Sequence, residues 1–282
     1  GGGTFNANGG FANSGTVNMT IGTTTGQMIL GNGTNMTNNN LFNITGQGNS
    51  GGVIGYGGWA GLSNSIQTSS TTLQPVSYAA PASTSTPVTG TITNSGTWTT
   101  TNAYAIYGAV STSSTPTATP QVSLDYDIKG VSFNNYGAYI SDPSTSIFAN
   151  LINESSGYLK GGMGDEFLIL GDFENRSTQT GLWDTDESLL GFVGASGSLH
   201  NYLLSGSAPS FDWGALYLAA GNSLEIPGAF SGGVYFGTIF LEDISQLAQI
   251  TSNTNIYYNA LLNLNGQALD PTGYSIGGQG QL

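Results

Sequence analysis

The densest set of ionisable side chains in the chain is Asp184-Thr185-Asp186-Glu187, with Asp172 and Glu174 shortly before it. Clustered carboxylates suit Ca²⁺, which gathers several oxygen ligands from carboxylates and backbone carbonyls. Asp184, Asp186 and Glu187 are therefore the candidate metal ligands. Their spacing is not that of an EF-hand loop, and no Gly-rich nonapeptide Ca²⁺ repeat accompanies them. The plainer reading is a solvated acidic turn that keeps an otherwise uncharged surface soluble.

The same carboxylates offer two acids to flank a bond, which glycoside hydrolysis needs. A polysaccharide lyase would add a cation, and only Arg176 and Lys160 lie near. Sixteen acids confined to half a chain produce such pairs readily, so a pair is no signature. His200 is the sole histidine, too little for a Ser-His-Asp arrangement or a metal site; it reads as a surface or corner residue. The chain is accordingly read as a non-enzyme, with no catalytic residue and no cofactor beyond the Ca²⁺ candidate. Six Asn-x-Ser/Thr sequons, at Asn18, Asn32, Asn35, Asn43, Asn153 and Asn175, permit glycosylation without indicating it. Trp59, Trp98, Trp183 and Trp213 suit either sugar-stacking platforms or core filling; Trp183 and Trp213, amid apolar strand positions, read as core.

Charge usage narrows the partners. Only 7% of the 282 residues are charged, against about 25% in an ordinary soluble domain. Lys129, Lys160 and Arg176 are the only cations, and the net charge is −13. Nucleic acid and anionic membrane surfaces need clustered cations, so both are excluded as main partners. With no cysteine, disulfides and thiolate metal sites are excluded and the compartment stays open. No apolar run approaches the ~20 residues of a membrane-spanning helix, and membrane insertion is not expected. The opening Gly1-Gly2-Gly3, without Met, reads as a processed or trimmed product whose signal peptide or anchor, if any, lies outside the chain.

The elements that must carry these residues are strands. Forty-four glycines penalise helix interiors, and only Leu241 to Ile250 reads as a short helix, capped by Asp243 with Leu247 and Ile250 on one face. Charges are segregated: all lie between Asp125 and Asp270, and residues 1–124 have none. Within 1–60, isolated apolar residues such as Phe11, Val17, Ile44 and Tyr56 recur in strand-like runs, which reads as ordered β. Residues 63–90 and 111–120, rich in Ser, Thr and Pro, read as loop insertions.

A small unit repeats: an apolar residue, any residue, then Asn, followed by small residues and a new strand. It occurs as Phe11-Ala12-Asn13, Met36-Thr37-Asn38, Ile92-Thr93-Asn94, Phe133-Asn134-Asn135, Phe148-Ala149-Asn150 and Phe173-Glu174-Asn175. In a strand, residues i and i+2 share a face, so the apolar residue and the Asn point the same way. If both point inward, the apolar residues stack between successive coils. The Asn then sits at the corner, bonding nearby main chain and its equivalents along the axis. The predicted fold is all-β: a right-handed parallel β-helix (β-solenoid) with long Ser/Thr/Pro-rich loop insertions. Residues 1–124 form its charge-free coils, with insertions at 63–90 and 111–120; residues 125–282 form acidic coils and a C-terminal cap.

The second half carries a resemblance. Gly171-Asp172-Phe173-Glu174-Asn175-Arg176-Ser177-Thr178-Gln179, then Trp183-Asp184-Thr185, Leu189, Leu190, Phe192 and His200, lead into Phe211-Asp212-Trp213-Gly214 and Leu218 to Leu224. The chain ends with Asn255-Ile256-Tyr257-Tyr258-Asn259, Leu264-Asn265-Gly266 and Gly277-Gly278-Gln279-Gly280-Gln281-Leu282. This order resembles the last coils of Gram-negative surface proteins of the filamentous-haemagglutinin and autotransporter-passenger type. The resemblance covers about residues 125–282, and residues 1–60 in style. It implies a right-handed parallel β-helix, secretion to the cell surface, and a role in adhesion or extracellular matrix; it carries over no catalytic residue. The chain departs from that pattern in its short length, its charge-free first half and its lack of an outer-membrane barrel segment. The function expected is a structural subunit of an extracellular fibre, sheath or matrix. It would self-assemble by end-to-end stacking or strand exchange, with further copies of itself as partner. The alternatives are a monomeric adhesin binding surface glycans and a polysaccharide-degrading enzyme.

Overall fold

A computed structural model describes residues 4–21, 26–31, 33–56, 89–107, 110–111, 123–124, 130–194, 196–204, 211–228 and 232–282. The expected loop insertions lie outside these residues, except that Thr89–Asn94 and Val110–Ser111 are strands. The fold is all-β and organised in two long sheets, one of ten strands and one of thirteen, in which every pairing is parallel.

Successive strands of the ten-stranded sheet follow chain order: Phe11–Asn13, Asn35–Asn38, Thr89–Asn94, Gly130–Asn135, Leu151–Asn153, Phe173–Asn175, Leu199–Leu204, Ser223–Ile226, Ile250–Ser252 and Gly277–Gly278. Between any two of them the chain crosses the thirteen-stranded sheet and returns. That sheet has two limbs. In the strands Leu41–Tyr56 and Thr97–Tyr107 one continuous strand serves both limbs, with a register shift between Thr45 and Ser50. In the next circuit the limbs are separate strands, Ala138–Asp142 and Thr145–Phe148, interrupted at Pro143, which cannot donate to a ladder. The first limb runs out at Tyr158–Lys160, beyond which a single bridge joins Lys160 to Asp184. The second limb continues through Glu166–Ile169, Leu189–Phe192, Trp213–Leu218 and Val234–Leu241 to Ile256–Asn263.

The repeat unit drives this arrangement. Register places Phe11, Met36, Ile92, Phe133, Leu151, Phe173 and Tyr202 in one column, and all but Phe11 are buried. Residues between column and Asn, such as Thr37, Thr93 and Glu174, are only half-buried, as period-two alternation demands. Aromatic rings fill the interior. Phe42 stacks on Trp98 at 4.2 Å, Tyr107 on Phe148 at 4.9 Å, and Phe173 on Tyr202 at 5.1 Å. In the second limb the strands Thr145–Phe148, Glu166–Ile169 and Leu189–Phe192 are buried at every position. Both faces are covered there, so the polar Thr145, Ser146 and Glu166 are buried along with the apolar residues. Glycine at the corner after the Asn is needed for close approach: a Cβ on Gly96 would strike the Asn40 carbonyl, and one on Gly137 the Gly96 carbonyl.

Leu241 to Ile250 holds a 3₁₀ helix, Ile244–Gln249, rather than a longer one. Asp243 caps it through the Ser245 N–H at 2.7 Å, Gln246 closes the capping box, and Leu247 and Ile250 are buried as expected. The last long strand is covered by the chain's own return. Leu262 bridges Ala268 in antiparallel sense, the Leu269 N–H donates to Leu261 O at 2.9 Å, and the Ile256 N–H donates to Gln281 O at 2.8 Å.

Candidate functional site

The most ordered polar feature is a ladder of six buried asparagines. The Asn13 amide donates to Asn38 Oδ1 at 2.7 Å, Asn38 to Asn94, Asn94 to Asn135 and Asn135 to Asn153 at 2.8 Å each, and Asn153 to Asn175 at 3.1 Å. In the first five, the second N–H of Nδ2 goes to the main chain. Asn13 reaches Leu41 O at 3.0 Å, Asn94 Ala138 O at 2.8 Å and Asn135 Tyr158 O at 3.1 Å. The ladder ends on a defect. Asn175 Oδ1 accepts from Asn153 and from the Ser177 N–H at 3.1 Å, but its buried Nδ2 has no partner. The next strand sets Leu204 at the position a seventh Asn would take.

Five of the six ladder residues come from the repeats read in the sequence. The sixth is a correction: the fifth rung is Leu151-Ile152-Asn153, not Phe148-Ala149-Asn150. Asn150 instead closes the preceding corner, donating to Val131 O at 2.8 Å and accepting from the Asp172 N–H at 2.9 Å. Phe148 belongs to the other sheet. Two sequons, Asn153 and Asn175, are thus buried within the ladder, whereas Asn18 and Asn35 are exposed.

Inside the sheets runs a second polar chain. Trp98 Nε1 donates to the Tyr107 hydroxyl at 2.9 Å, which lies 2.8 Å from the Tyr139 hydroxyl, and Tyr139 donates to Ser146 Oγ at 2.7 Å. Burial pushes both phenols well up, so they act as neutral hydrogen-bonding groups. Asp165 anchors a third group. One of its oxygens accepts from Ser141 Oγ and, at 2.7 Å, from the Ser144 N–H; the other accepts from the Gly162 N–H at 2.7 Å.

His200 is fully buried, which overturns its reading as a surface residue. Its Nδ1 lies 2.7 Å from Gly171 O, its Nε2 2.7 Å from Asn222 Oδ1, and its ring centroid 5.5 Å from that of Phe192. His200 and Tyr202 alternate with the less buried Leu199 and Asn201, so both face inward.

The acidic turn lies at the surface. Asp184, Asp186 and Glu187 are all exposed. The turn is held by Thr185, whose hydroxyl accepts from Trp183 Nε1 at 2.7 Å and donates to Asp212 O at 2.6 Å. Asp172 and Glu174, at the strand that opens the same circuit, are engaged elsewhere. Asp172 accepts from the Asn201 backbone N–H and side chain at 2.8 and 2.9 Å, and Glu174 pairs with Arg176 at 2.7 Å. Burial, and after it the nearby Asp186 charge, push the Asp212 carboxyl upward. Among the described residues no group of three or more His, Cys, Asp or Glu is placed to hold a metal ion. Trp213 and Trp98 are core residues, Trp183 packs half-buried against that core, and Trp59 lies outside the described residues. One exposed aromatic pair is Tyr235 stacked on Tyr257 at 4.8 Å and 17°. Among the described residues no helix is long and apolar enough to cross a membrane.

Comparison of the chain with known protein families, curated proteins and solved structures finds no match.

Proposed function

We propose that the chain is a right-handed parallel β-helix that serves as a structural subunit of an extracellular fibre, sheath or matrix. The observation that carries this reading is the asparagine ladder. Six buried amides joined head to tail across six circuits, beside a continuous apolar column, make a stiff axial element and spend the buried polar groups on cohesion rather than on a ligand. Self-assembly fits the same design. The strands Thr4–Ala7 and Phe11–Asn13 are each paired on one edge only among the described residues, and Phe5, within the first, is exposed. Unpaired edges are templates for another chain. The absence of charge from residues 1–124 removes Coulombic repulsion between copies there. At the other end the antiparallel return covers the last strand, so copies join by the first edge or by exchanging the return.

Negative-stain microscopy and light scattering of the purified chain test this. Filaments or concentration-dependent oligomers are expected, and a monodisperse monomer at high concentration overturns it. One observation favours a second reading, a monomeric adhesin that binds surface glycans: the stacked, exposed Tyr235 and Tyr257 offer an aromatic surface to a sugar. That reading requires saturable glycan binding that is lost in Tyr235→Ala with Tyr257→Ala.

A further inference from the structure

Asp165 and Glu166 are adjacent carboxyls, both buried, at the entry to the strand Glu166–Ile169, and the proposed function uses neither. Together they touch three successive circuits. Asp165 takes Ser141 Oγ and the Ser144 N–H from the circuit before, and the Gly162 N–H from its own turn. Its backbone carbonyl receives the Leu189 N–H of the circuit after at 2.9 Å. Glu166 accepts from Thr145 Oγ1 at 3.0 Å, and its N–H donates to Ser144 O at 2.9 Å. No cation answers them: the ion pairs among the described residues are those of Arg176 with Glu154 and Glu174.

We propose that Asp165 and Glu166 form an acid-tightened clasp, which locks three circuits together when protonated and frees the turn at residues 161–165 when both carboxyls ionise. The groups facing it favour this sense. Among the groups facing Asp165 from the preceding circuit, the Asp142 charge opposes a second negative charge there, and Tyr139 is a neutral phenol. Thr145, on the strand before, supplies Glu166 with one hydroxyl, and Ser188 and Leu189 on the following circuit are neutral. A buried carboxylate with no cation and one hydroxyl donor is poorly compensated. Two adjacent ones repel as well.

Burial pushes Asp165 up to about 6, with its three donors offsetting part of that, and pushes Glu166 up to about 7. Both values lie above those of the unfolded chain, so the folded state holds these protons more tightly. The stabilisation is complete below about pH 4, declines as the pH rises, and is gone above about pH 7.

Hydrogen exchange followed by NMR between about pH 5 and about pH 8, corrected for the intrinsic rate, reads this directly. At the higher pH the Gly162, Glu166 and Leu189 amides should lose protection by about tenfold or more, and the Ser95 amide on the ladder corner should not. High salt, which screens the general negative charge, should leave that contrast in place. Glu166→Gln should remove most of the loss. Unchanged protection in the wild-type chain overturns the proposal, as does an equal loss in the Glu166→Gln, Asp165→Asn double variant. If the variants do not fold, ¹³C titration of the two carboxyls in the wild-type chain decides. Midpoints raised above the ordinary carboxylate range support the clasp, and ordinary midpoints overturn it.

Discussion

Replacing Asn94 by alanine tests the ladder where it is most complete. Asn94 sits mid-ladder and makes three buried hydrogen bonds. It accepts from Asn38 at 2.8 Å, donates to Asn135 Oδ1 at 2.8 Å, and donates to Ala138 O at 2.8 Å. The truncation takes the acceptor from one N–H of Asn38 and the donor from Oδ1 of Asn135, both fully buried side chains, and a donor from the Ala138 carbonyl as well. A buried polar group left without its partner costs about 1–3 kcal/mol, so two of them set a loss of about 2–6 kcal/mol. That is a large share of the ~5–15 kcal/mol that holds a domain folded. Asn175 is the internal control. Its Nδ2 bonds nothing, so Asn175→Ala deletes an unsatisfied donor together with two accepted bonds and should cost clearly less. Urea denaturation of both variants, followed by circular dichroism, gives the two midpoints. A larger loss for Asn94→Ala is expected, with an unchanged slope. A cost for Asn94→Ala at or below that of Asn175→Ala, or under about 1 kcal/mol, refutes the claim that the ladder bonds carry cohesion.

Three further outcomes follow from the same geometry. Tyr139→Phe removes a buried hydroxyl that bonds Ser146 and meets Tyr107, and should lower stability by about 1–3 kcal/mol in thermal melts. Arg176→Ala, by contrast, should cost less than about 1 kcal/mol, because the side chain is 43% exposed and its pairs with Glu174 and Glu154 are screened; a double-mutant cycle with Glu174 measures the coupling. Adding Ca²⁺ should leave the melting temperature unchanged, since Asp184, Asp186 and Glu187 are exposed and no carboxylate trio converges; a saturable rise would establish them as ligands.

The sequence exposed the rungs better than the corners. A strand's period of two made Phe11 and Asn13, Met36 and Asn38, Ile92 and Asn94 legible as inward pairs. It failed at Phe148-Ala149-Asn150, where the same three-residue pattern lies across a corner. Local pattern cannot distinguish an Asn that bonds Val131 O at a corner from one that bonds its neighbours along the axis. Only the register of Leu151 with Phe133 and Phe173 separates them. His200 failed for a different reason. Its being the sole histidine spoke against catalysis but says nothing of burial, and a buried histidine needs only fixed partners, here Gly171 O and Asn222 Oδ1. The clasp at Asp165 and Glu166 was invisible because its donors, Ser141, Ser144 and Thr145, sit a circuit away, and circuit length varies along the chain.

That variation itself has a physical logic. Ladder neighbours are separated by 25, 56, 41, 18 and 22 residues, yet the amide bonds between them stay within 2.7–3.1 Å. Loop length is therefore free and rung geometry is not. An insertion adds chain where closure entropy grows only slowly with length. A slip of one residue in a rung would turn a buried amide outward and an exposed threonine inward. The ladder thus acts as a register lock that lets the outer loops diverge. Beyond Asn175, where Leu204 takes the place of an amide, that lock gives way to particular contacts: His200 between Gly171 and Asn222, and then Ser252 Oγ bonded to Thr254 O at 2.7 Å. Corners held by one-off contacts tolerate less change than corners held by a repeated one. Insertions of a few residues should accordingly be accepted more readily between the ladder rungs than between the circuits that follow them.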